Sequence, residues 1–165
     1  MRGVRPLFGE YMHLIKFITI AFMLLILDGC NNNNNTAANF DVSIKTLDKF
    51  NQVSTSFVQG EKVNIVLSIK NISAVKQTLS FSSSKQYDFV IKDNKDSEVW
   101  RWSTGLAFAA AFTSYDIASG ETKNFSYQWD QTISGNGTLI PIGKYTLEAE
   151  DIGINVIPKQ DLEII

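Results

Sequence analysis

From Phe40 to the end of the chain, apolar residues recur at every second position and show almost no sustained helical spacing. Side chains of an extended strand point alternately to its two faces, so this pattern builds half-buried strands and argues against a helical bundle. Val63, Ile65, Leu67 and Ile69 alternate with Asn64, Ser68 and Lys70, and Asn71, Ile72 and Ser73 end the run. Leu79 and Phe81, then Tyr87, Phe89 and Ile91, then Trp100 and Trp102 repeat the period. Phe125, Tyr127 and Trp129 follow, as do Tyr145, Leu147 and Ala149 after Gly143, and then Ile152, Ile154 and Val156. Residues 162–165 add a terminal strand. Turn-forming residues separate the runs at 93–97, 119–121 and 134–137, where Asp, Asn, Ser and Gly tolerate positive φ. Seven or more short strands with such turns predict an all-β fold, an immunoglobulin-like antiparallel β-sandwich. The stretch 106–112 is ambiguous, because its alanines favour helix while Phe108, Ala110 and Phe112 fit a strand face. It is read as a strand or short irregular crossover, with Phe108 and Phe112 turned inward.

A different pattern precedes the sandwich. Arg2, Arg5 and Lys16 lead into an apolar run at 17–27, and Asp28 and Gly29 then precede Cys30, the only cysteine. A run of eleven residues is too short for a spanning helix, which needs ~20. A cationic start, a short apolar core and a small residue before cysteine form a bacterial lipoprotein signal, with Cys30 as the lipidation site. Met12 offers an alternative start, and an uncleaved signal anchor is the competing reading that Asp28 keeps open. Asn31 to Asn35 and the following Thr, Ala, Ala and Asn cannot bury enough apolar surface to order themselves. The expected organisation is a signal peptide over 1–29, a flexible tether over 30–39 and one sandwich domain over 40–165. The protein is expected to be extracytoplasmic, lipid-anchored to the bacterial cell membrane and monomeric.

Composition removes several kinds of chemistry. His13, the only histidine, lies in the leader, so the domain lacks the imidazole that activates serine or cysteine nucleophiles and ligates most transition metals. No catalytic residue, cofactor or metal site is expected, and the protein is read as a non-enzyme. A single cysteine also excludes a disulfide within the chain, so the domain must hold by burial alone. Without the leader the chain is slightly acidic and carries no basic stripe, which argues against nucleic acid as a partner. Asp93, Asp96 and Glu98 lack the ligand spacing of a dedicated calcium loop and are read as a solvated turn.

One stretch is distinctive. Phe81 to Asp93, with Tyr87, Asp88 and Phe89 at its centre, is followed by Glu98, Val99, Trp100, Arg101, Trp102 and Ser103. This run resembles the intracellular proteinase inhibitor (BsuPI) family, and the likeness continues through Phe108, the 119–121 turn, Phe125, Trp129 and the closing 143–147 segment. It spans about residues 60–150. The resemblance implies an all-β domain and inhibition of a serine protease. It carries over no inhibitory residue, because the matched positions look like markers of the fold.

The candidate binding residues are Trp100, Arg101, Trp102, Leu106, Phe108 and Phe112. Two tryptophans on one strand face fit either a sandwich core or a platform for a sugar ring or a protein partner. Arg101 between them is expected to face solvent. A substrate-mimicking inhibitor needs a long, preorganised loop, and only 103–118 and 130–142 are long enough. The function expected is a membrane-anchored binding domain that inhibits or regulates an extracytoplasmic serine protease or another envelope protein. The alternative is a non-inhibitory cell-envelope module, either structural or binding carbohydrate or protein.

Overall fold

The computed structural model describes residues 37–165, and Cys30, the leader and most of the expected tether lie outside the described residues. A 3₁₀ turn, Ala37–Asn39, takes up the last three residues expected as tether. Ile72 donates to the Asn39 carbonyl at 2.9 Å, so these residues join the domain. Ten strands follow, namely β1 (Phe40–Leu47), β2 (Ser56–Phe57), β3 (Val63–Asn71), β4 (Gln77–Phe81), β5 (Asp88–Asp93), β6 (Glu98–Arg101), β7 (Thr113–Ile117), β8 (Thr122–Trp129), β9 (Gly143–Glu150) and β10 (Lys159–Ile164).

The strands form a three-stranded sheet ordered β1-β3-β8, a five-stranded sheet ordered β2-β10-β9-β5-β6, and a β4-β7 ribbon. The all-β sandwich expected from the alternation is present. One pairing departs from it, because β2 runs parallel to β10. In the three-stranded sheet, Leu67 lies opposite Ile44 on one side and Phe125 on the other. Val63, Ile65, Leu67 and Ile69 are fully buried while the residues between them are not. Trp100 of β6 packs its ring on Trp129 of β8 at 5.6 Å, which joins the two larger sheets face to face. Each fully buried Leu, Ile or Phe contributes about 1.5–3 kcal/mol, and this burial has to do the work of the missing disulfides.

One expected element differs. Ile152, Ile154 and Val156 do not form a strand. Ile152 and Ile154 are buried, but Asp151 and Gly153 adopt positive φ and turn the chain out of extended geometry. A Cβ at Gly153 would lie 3.0 Å from the Phe81 ring, and its φ of +77° is one that residues with side chains disfavour, so this bend favours glycine. The stretch 106–112 takes the second of its two expected forms, an irregular crossover, with the strand beginning just after it at Thr113.

Candidate functional site

Most of the residues singled out above converge at the β6 end of the five-stranded sheet. Trp100 alternates inward from β6 and is 6% exposed, stacked between Tyr127 at 5.7 Å and Trp129 at 5.6 Å. Trp102 lies one residue beyond β6 and continues the ladder by donating its backbone N–H to the Phe89 carbonyl. Its ring stacks on Tyr87 at 4.5 Å and packs on Phe108 at 5.7 Å. Trp100 therefore belongs to the core, and Trp102 is half-buried, with one face of its ring stacked on Tyr87. Trp100, Arg101, Trp102, Leu106 and Tyr127 line an open groove of about 370 Å³ that is closed on its far side by residues 132–137.

Arg101 lies on the outer face as expected, but only 25% of its side chain is exposed. Its Nη1 reaches Asp88 Oδ2 at 3.0 Å and Glu150 Oε2 at 2.9 Å, while Nε and Nη2 clasp Glu98 Oε2 at 3.0 and 2.8 Å. The side chain leaves the face opposite Trp100, as alternation requires, but three carboxylates cover that face. Glu98 is the strongest influence holding the guanidinium charged, and Glu150 and Asp88 add to it against the cost of burial. Asp88 is fully buried at the start of β5. Burial alone would push its carboxyl up, yet hydrogen bonds from Ser103, Arg101 and Lys85 outweigh this and hold it below the usual carboxylate range. Ser103 donates both Oγ–H, at 2.6 Å, and N–H, at 3.2 Å, to Asp88. The loop that leaves β6 is thus fixed at its root by a buried charge.

Beyond that root the chain is an exposed arm. Leu106 is 51% exposed and Phe112 is 90% exposed, so Phe112 does not turn inward as its position in the alternation predicts. Phe108 does turn in, against Trp102. Ala109 exchanges two hydrogen bonds with Ser84, its N–H donating to Ser84 Oγ at 2.9 Å and its carbonyl accepting from Ser84 N–H at 3.0 Å. Thr113 Oγ1 then donates to the Ser83 carbonyl at 2.9 Å as β7 begins. Phe112 does not line the groove, and the remaining candidates gather at it or beside it.

Sequence reasoning missed Asp88, Ser83, Ser84, Ser103 and Ser134 as positioning residues. Ser134 Oγ accepts the Arg101 backbone N–H at 2.8 Å. Asp88 alone carried a signal, since a carboxylate between Tyr87 and Phe89 in an apolar strand needs a buried partner.

The family model described as intracellular proteinase inhibitor, BsuPI, matches residues 50–156, well over half of the chain. The chain belongs to the BsuPI family. No curated protein matches the sequence. Among solved structures, this BsuPI chain is similar to a β-glucosidase from Listeria innocua at 14% identity and a TM-score of 0.45, over 76% of this chain and 16% of that one. A β-glucosidase from Erythrobacter marinus gives 11% identity and 0.45, over 76% and 15%. A CARDB domain from Pyrococcus furiosus, in complex with di-metal ions, gives 14% and 0.41, over 76% and 87%. The BsuPI chain thus spans about a sixth of the length of the glucosidases it matches.

Proposed function

We propose that this BsuPI-family protein is a binding protein rather than an enzyme, and that it inhibits or regulates a proteinase through the arm of residues 105–112. The observation that carries this reading is the arm itself, apolar and exposed, yet braced by Phe108 and clamped by Ser84. Such an arm suits a proteinase cleft because its ordering has already been met by the fold, so little conformational entropy remains to be lost on binding. Family membership supports the same partner class. Carbohydrate binding lacks that support, because Trp100 is buried and Trp102 is stacked on Tyr87 with Phe108 beside it.

The leader sets the place of action in this proposal. Lipid on Cys30 anchors the protein to the bacterial cell membrane with the domain outside the cytoplasm, so the target is an extracytoplasmic proteinase. A Cys30→Ser variant should move from the membrane fraction to the soluble one, and unchanged fractionation would contradict the anchor. Purified protein should extinguish the activity of a subtilisin-like proteinase at one equivalent. Full activity at micromolar excess, across several proteinases of that kind, would remove the inhibitory reading.

A further inference from the structure

Resting on the inhibitory reading above, we propose that Phe112 is the side chain that enters the specificity pocket of the target proteinase, and that this pocket accepts a large apolar residue. Phe112 is 90% exposed, the most exposed of the large apolar side chains among the described residues. A lone exposed aromatic carries no meaning by itself, and Phe50 is 70% exposed. Phe50 sits in a short turn with the Lys49 ammonium 5.2 Å from its ring centre. The setting of Phe112 is different in three respects.

Ala109, Ala110 and Ala111 precede it, all exposed, so no bulky side chain stops the backbone from entering a narrow cleft. Ala110, Ala111 and Phe112 also donate no backbone hydrogen bond to any described residue, which leaves their N–H groups free to pair with the walls of a cleft. The clamps lie immediately on either side, with Ala109 held to Ser84 and Thr113 to Ser83. Three free residues therefore arch between fixed ends on two adjacent serines, and Phe112 is the only large side chain on the arch. This is a short, preorganised presentation of one residue, obtained without a disulfide.

Charge restricts the pocket. No charged residue lies between Arg101 and Asp116, so the arm offers nothing to a pocket that selects lysine, arginine or glutamate. A pocket for an aromatic or large aliphatic residue is the remaining match.

The test titrates the full chain against a chymotrypsin-like proteinase, a subtilisin-like proteinase and a trypsin-like proteinase that requires a basic residue. The unmodified chain should inhibit one or both of the first two and leave the third untouched. Phe112→Ala should weaken that inhibition about 100-fold, the size of loss expected for a central contact residue. Phe112→Leu should keep most of it, and Phe112→Arg should transfer inhibition to the trypsin-like enzyme. Because the residue is exposed, all three variants should keep the parent unfolding temperature, and Phe50→Ala should inhibit as the parent does. Undiminished inhibition by Phe112→Ala would overturn this inference and leave the inhibitory reading standing. A parent chain that inhibits none of the three would overturn both.

Discussion

The loop at 130–142 is anchored in the body of the sandwich by a buried polar residue, Gln131, and a buried apolar one, Ile140, whereas the arm at 103–112 buries neither kind fully. In the first loop, Gln131 is fully buried, donates to the Val58 carbonyl at 2.9 Å and accepts from Gly60 N–H at 2.8 Å. Ile140 is fully buried, and its N–H donates back to the Gln131 carbonyl at 2.8 Å. Ser134 ties the loop to β6, and Tyr145 donates its hydroxyl to the Pro141 carbonyl at 2.7 Å. The second loop is tied to the rest of the domain mainly through Ser103, Phe108 and Ala109, while Leu106 and Phe112 point outward. Two connections of similar length thus serve different ends, one closing the sandwich and the other displayed by it. A loop with buried apolar and polar anchors is part of the core. A loop with anchors only at its root and shoulder is a presentation device.

This contrast can be broken from its root. Asp88→Ala should cost about 3 kcal/mol in chemical denaturation, because Arg101 and Lys85 lose a fully buried carboxylate. Acid should act in the same direction. Asp88 and Glu148 are both buried, and their hydrogen bonds outweigh burial and hold both carboxyls low. Their stabilisation is complete above the unfolded carboxylate range of about 4 and is lost as pH falls through the lower folded values. Stability should be flat above about pH 5 and fall below about pH 4, with a shallower fall in Asp88→Asn.

The closed loop gives the next largest effect. Gln131→Ala leaves the Val58 carbonyl and Gly60 N–H without their partner and should cost about 2 kcal/mol, read as a shift in denaturation midpoint. Substitution on the arm should do much less to the fold. Ser84→Ala removes one of the two Ala109 clamps and should cost about 1 kcal/mol or less. Its larger consequence should be faster hydrogen exchange at Ala109 and weaker proteinase inhibition. If Ser84→Ala destabilised the whole domain as much as Gln131→Ala does, the distinction between the two loops would fail.

The strands were legible because period two is a direct consequence of extended geometry. Val63 to Ile69 announce β3, and Asp93 to Ser97 announce the hairpin that follows β5. Alternation also places Arg101 opposite Trp100, which is correct. It does not reveal what covers the outer face, since Asp88 and Glu150 lie 13 and 49 residues away in the chain. Ile152 and Ile154 show the opposite failure, with burial predicted and the strand absent, because a buried loop at Gly153 can alternate too. Phe112 was misplaced for a related reason. Periodicity says which side chains share a face, and it cannot say that the chain between the clamps on Ser84 and Ser83 lifts Phe112 away from the core while Phe108 stays packed on Trp102.

Hydrogen exchange on the protein alone and in complex with a catalytically inactivated subtilisin-like proteinase tests the central claim most directly. In the free protein, Ile133 and Ile140 should be protected and Ala110, Ala111 and Phe112 should not. On binding, the amides of 107–113 should gain protection while those of 131–140 stay unchanged. Protection gained at 131–140 in place of the arm, or at neither loop, would contradict the account.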